Sequence, residues 1–117
     1  MLHIDSIAQY YLYHSTIDMR KGLDSLCGLV RHEMKLNPLD RNIYIFIGRR
    51  MNQIKLLRWD GDGLCLYHKR LERGTYEFPK SDSDTPVLMI PSTTLQCILQ
   101  GVKLSSIQYK KRYALST

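Results

Sequence analysis

Six of the chain's carboxylates, Asp18, Asp24, Asp60, Asp62, Glu72 and Glu77, are the residue type that holds divalent cations for phosphodiester cleavage. All but Glu77 have a plainer reading. Asp18 is placed to cap a helix, Asp24 sits on that helix, Asp60 and Asp62 belong to a turn, and Glu72 can pair with Arg70 or Arg73. The histidines His3, His14, His32 and His68 are scattered, without HxH or HExxH spacing. Cys27, Cys65 and Cys97 lie 38 and 32 residues apart and form no CxxC pair. Ser25 and Ser92 have no local nucleophile signature. The DGDG run at 60–63 lacks the GKS/T signature and following helix of a phosphate loop. No catalytic residue, metal ligand or cofactor site is therefore expected.

The denser pattern is cationic. Between residues 49 and 73, seven basic residues (Arg49, Arg50, Lys55, Arg58, Lys69, Arg70, Arg73) face three acids, leaving +4 of the chain's formal +6. Residues 1–48 are neutral, residues 74–84 carry a net −2, and residues 85–117 add Lys103, Lys110, Lys111 and Arg112 with no acid. Such a surface suits a polyanion better than a reaction pocket. The competing reading is that edge-strand cations only discourage unwanted strand pairing. Trp59 could stack on a base, but its neighbours Leu57 and Leu64 argue for the core. Tyr109 and Tyr113 interleave with Lys110, Lys111 and Arg112 as a nucleic-acid-binding tail would.

The elements that must position these groups follow from periodicity. Residues 10–14 (YYLYH) predict a strand. Met19, Leu23, Leu26, Cys27, Val30 and Met34 form the stripe of an amphipathic helix over 20–36, with Gly22 weakening its first turn and Asn37-Pro38 ending it. Residues 43–47 (IYIFI) are apolar throughout, which suits a central strand covered on both faces. Residues 53–59 and 64–70 predict a hairpin around DGDG, setting Trp59 opposite Leu64, Leu57 opposite Leu66 and Lys55 opposite His68. Its open end would gather Arg49, Arg50, Lys69 and Arg70. Residues 71–78 predict a further short strand, 80–86 a polar loop and 87–90 a final strand. Pro91 opens a helix over 92–99 that Gly101 ends.

With 117 residues, 44% hydrophobic and 24% charged, the chain predicts one globular domain over 1–104 and a basic, flexible tail over 105–117. The odd cysteine count fits free thiols in a reducing cytoplasm. No signal peptide or membrane span is expected, since the N-terminus lacks an uninterrupted apolar run.

Two separated blocks carry a resemblance. Residues 18–26 (DMRKGLDSL) match a DMRKGxDGL pattern, with Ser25 in place of Gly. Arg49-Arg50, the run 55–60 (KLLRWD), Gly63, the run 69–74 (KRLERG) and Pro79 match the second block, with Tyr76 where Phe is common. Over roughly residues 10–100 the chain resembles the TnpB accessory protein, the second reading frame of the bacterial insertion-sequence-66 elements. This is not the RNA-guided nuclease of the same name. The resemblance implies a component of DNA transposition whose strand chemistry is attributed to a separate, larger transposase. It supplies no catalytic residues.

The expectation is a single α+β domain: a mainly antiparallel sheet of about four to six strands, one main helix packed on it and a short C-terminal helix. The expected function is that of a non-catalytic accessory protein that touches element DNA through Arg20, Lys21, Arg49, Arg50, Lys55, Lys69, Arg70 and Arg73. The first alternative is an adapter whose cations meet acids on the transposase. The second is a small metal-dependent nuclease. No membrane partner is expected, and oligomeric state is not legible.

Overall fold

The computed structural model describes residues 8–81 and 84–101. The expected tail over 105–117, its tyrosine and lysine cluster, the boundary at 104 and His3 lie outside the described residues. Seven elements follow one another: β1 (Tyr10–Ile17), α1 (Leu23–His32), β2 (Ile43–Gly48), β3 (Gln53–Trp59), β4 (Leu64–Arg70), β5 (Val87–Ile90) and α2 (Ser92–Leu99). The strands form one sheet in the order β4-β3-β2-β1-β5. Every neighbouring pair is antiparallel except β1 and β2, which run parallel on either side of the α1 crossover. The fold is α+β, with the main helix and short C-terminal helix as expected.

The strand β2 is buried at all six positions, as its unbroken apolar run requires of a central strand. Alternation along the strands divides the core in two. On one face Tyr44, Phe46 and Leu57 meet Leu26, Cys27, Val30 and Met34 of the α1 region. On the other, Ile43, Ile45, Ile47, Ile54 and Leu56 meet Leu95 and Ile98 of α2, together with Tyr76. Each such aliphatic or aromatic side chain stabilises the fold by roughly 1.5–3 kcal/mol on burial. That sheet is the rigid base from which the loops at its ends project.

The β3–β4 hairpin has the expected register, Trp59 to Leu64, Leu57 to Leu66 and Lys55 to His68. Asp60 N donates to Gly63 O at 2.8 Å across the turn, and Gly61 takes the φ of +78° that a residue with a Cβ resists. The helix over 92–99 and the glycine after it are also as expected, Gly101 having φ of +77°.

Several expectations need correction. The main helix is shorter than 20–36. It starts at Leu23 behind Gly22, which has no side chain to cap it; Asp18 lies four residues upstream of that glycine and accepts from Arg20 instead. It ends well before Pro38. Lys35 takes a φ of +60°, and the N–H groups of Met34 and Leu36 turn back onto the Leu29 and Val30 carbonyls. Residues 71–78 are not a strand. Leu71 N and Tyr76 N bond the carbonyls of Asn52 and Met51, and Tyr76 is buried on the α2 face. Trp59 is not core: it is only half-buried, at the end of β3.

Candidate nucleic-acid interface

Three loops meet at one end of the sheet. The first, residues 18–21, leaves β1. The second joins β2 to β3. Met51 N donates to Gly48 O at 2.8 Å, so Arg49 and Arg50 are the middle residues of a tight turn, and both are exposed. The third leaves β4 after Arg70, which pairs across the strands with Gln53. Arg49 N donates to Ile17 O at 3.1 Å and ties the second loop to the end of β1.

Arg20, Arg49 and Arg50 line a single depression of about 420 Å³, together with Asp18, Met19, Asn52 and Gln53. The two blocks of sequence are thus brought together in space. Arg70 pairs with Gln53 across the strands but does not itself line the depression. Neither Arg49 nor Arg50 has a carboxylate within ion-pairing distance among the described residues. Their charge is therefore presented to solvent.

The other expected contacts are held to different degrees. Arg20 grips Asp18 through Nη2 at 2.6 Å and Nε at 3.0 Å, while its backbone N–H donates to the same carboxylate at 2.9 Å. These bonds hold the Asp18 carboxyl well below the usual carboxylate range, and the Arg49 charge adds to the effect. The Arg20 side chain is still 90% exposed, so its outer face is free to meet a second anion. Arg70 pairs loosely with Glu72 at 3.6 Å, both exposed. Lys69 turns to the α2 face, where its Nζ donates to Leu99 O at 3.3 Å. Arg73 is exposed in the loop after β4, and Lys21 is half-exposed.

Lys55 does not belong to this surface. It is 6% exposed, and its ammonium donates to Met19 O and Lys21 O at 2.8 Å each. Strand alternation places it on the α1 face with Leu57, and from there it reaches under the 18–21 loop. It braces the loop that carries Arg20.

Gly48, Asn52 and Gln53 carry no sequence signal for this site, and Met19 is legible only as part of the apolar stripe and the first block. A Cβ on Gly48 would stand 2.7 Å from Met19 Cγ, so the glycine permits the close approach of the first loop to the second. The block placing Met19 before Arg20 was visible, but the contact to Gly48 spans the whole helix and carries no local signature.

A second depression of about 340 Å³ contains Trp59, Arg41 and Arg58 at the β3–β4 turn end, along with Asp40 and Asp60. Arg58 pairs with Asp60 at 3.7 Å, so cations and acids are balanced there. Among the described residues no three His, Cys, Asp or Glu side chains gather closely enough to hold one metal ion. No helix among them is long and apolar enough to cross a membrane.

Comparison with known proteins agrees with the two sequence blocks. The chain is 39% identical over 85 residues to Uncharacterized protein y4hO of Sinorhizobium fredii (strain NBRC 101917 / NGR234), covering 73% of this chain and 72% of that one. It is 33% identical over 63 residues to Uncharacterized protein y4jC of the same strain, covering 54% of each. No solved structure matches. The match to the family described as IS66 Orf2 like protein spans residues 8–109, and the chain belongs to that family, the accessory proteins of insertion-sequence-66 transposition.

Proposed function

We propose that this protein assists transposition without catalysing it, by gripping the phosphate backbone of element DNA at the ledge formed by residues 18–21 and 49–52. The observation that carries this reading is the placement of Arg49 and Arg50, free of carboxylate partners among the described residues, beside Arg20 in one depression. Arg70 and Arg73 extend the ledge, and Lys21 adds to it. Lys69 contributes at its margin from the α2 side. The depression is shallow and cationic, and it suits a backbone that runs across it.

Phosphate contacts of this kind position a protein on DNA and carry little sequence information. Each neutralised phosphate releases condensed counterions, so affinity falls steeply with salt. Binding to an element-end duplex and to an unrelated duplex, measured across a salt series, tests the reading. Salt-dependent binding that is lost in the Arg49→Glu/Arg50→Glu variant supports it. Absence of DNA binding, with co-purification of the separate transposase, assigns the ledge to acids of that protein instead. Divalent-dependent cleavage by the pure protein would place it among nucleases.

A further inference from the structure

The sheet has two margins, and they are treated differently. At one, β5 is four residues long and bounded by Pro86 and Pro91. Short length and flanking prolines both discourage further strand pairing. At the other, β4 runs for seven residues in unbroken register with β3 and contains no proline. Its outer side carries no strand among the described residues. The middle of β4, Leu64-Cys65-Leu66-Tyr67, holds no charge, and Cys65 is exposed. An edge of this length without bulge, proline or central charge presents a row of backbone donors and acceptors to another strand.

The charge along this edge is polar. Asp60 and Asp62 precede it, and Lys69 and Arg70 end it. We propose that β4 pairs antiparallel with β4 of a second copy of this chain, about a twofold axis through Leu66. That register sets Leu64 of each copy opposite His68 of the other and Cys65 opposite Tyr67, and it brings the turn that carries Asp62 toward the Arg70 end of the partner strand. A parallel pairing would align like charges at both ends. The antiparallel pairing is self-complementary, as an isologous interface must be. Arg70 is available for it because its contact with Glu72 is loose and exposed. The result is one continuous sheet of twice five strands with the Arg49–Arg50 turns at its two ends. The pairing draws Arg70 away from the proposed phosphate contacts and leaves Arg20, Arg49 and Arg50 of the ledge untouched.

Sedimentation equilibrium of the full chain under reducing conditions tests this. A mass rising with concentration to twice 13.7 kDa is expected. Cys65→Lys places a charge in the middle of an exposed edge position that the fold tolerates, and should leave a monomer. Asp62→Arg and Arg70→Asp should each weaken dimerisation at least about tenfold, because an attraction becomes a like-charge contact. The two together should restore it. A monomer at every concentration, a dimer indifferent to Cys65→Lys, or a double variant no better than the single ones would overturn the pairing.

Discussion

The Lys55 ammonium, buried beneath the sheet's end, donates to the Lys21 carbonyl at 2.8 Å and holds the loop that carries Arg20. It makes the same bond to Met19 O, and no carboxylate shares it among the described residues. A buried charge satisfied only by backbone carbonyls has a definite positioning role: it fixes where the loop lies.

Lys55→Met should therefore cost stability without removing a surface charge. The thioether chain keeps most of the packing, but the Met19 and Lys21 carbonyls lose their donor. A loss of roughly 1–3 kcal/mol is expected, read as a lower urea midpoint at unchanged m-value. The salt slope of DNA binding should stay as in the parent protein. Arg50→Ala should do the reverse, leaving the urea midpoint alone and reducing the salt slope by about 1. A Lys55 variant with a reduced slope would return Lys55 to the DNA-contacting set.

The Asp18–Arg20 pair predicts an acid signature. The folded carboxyl titrates below its unfolded value, so its contribution to stability is complete above the ordinary carboxylate value of about 3.9 and is lost as pH falls through the lower folded value. Arg20→Ala should raise the Asp18 titration midpoint, followed by carboxyl NMR. It should remain short of about 3.9, because the backbone N–H of residue 20 and the Arg49 charge persist. An unmoved midpoint would show that Arg20 does not hold Asp18 in solution.

Much of this arrangement was legible in the sequence because it rests on local signals. The DGDG turn fixed the hairpin register, and the unbroken apolar run placed β2 at the centre. The same alternation that paired Lys55 with His68 put Lys55 on a face with Leu57, which argues for burial as much as for display. Charge density outweighed that cue. The apolar neighbours of Trp59 argue for the core, while its own position at the strand end leaves it only half-covered. The early end of α1 depends on Lys35 adopting a left-handed conformation, which residue type does not foretell. The meeting of Arg20 with Arg49 and Arg50 is a product of the parallel β1–β2 pairing, and no spacing in the chain encodes it.

Tyr76 offers a test of the α2-side core. Its hydroxyl is buried with no hydrogen-bond partner among the described residues, and burial pushes its pKa up to about 12. A raised tyrosine pKa contributes stability that is present below the ordinary value of about 10 and declines as pH climbs from there to about 12. Tyr76→Phe removes the orphaned polar group with little change of shape. It should raise stability at neutral pH by roughly 1 kcal/mol and make the alkaline decline shallower. A loss of stability in urea would mean that the hydroxyl has a partner in solution.

The approach of Met19 to Gly48 gives the sharpest prediction about the ledge itself. A Cβ at position 48 would meet Met19 Cγ at 2.7 Å, too near the root of that side chain for a simple swing of its tip to relieve. Gly48→Ala should therefore displace the 18–21 loop, at a cost of roughly 1–3 kcal/mol, and weaken DNA binding although no charge is lost. Met19→Ala alone should cost stability by opening a void against the α1-side core. If the contact is the cause, the two changes are coupled: Gly48→Ala should cost much less in the Met19→Ala background, with an interaction energy of roughly 0.5–3 kcal/mol in a double-mutant cycle. The DNA affinity lost in Gly48→Ala should return in part in the double variant, because the loop can settle back beside Arg49. Additive effects in both measurements would separate the glycine from Met19 and leave the convergence of the two loops without its steric basis.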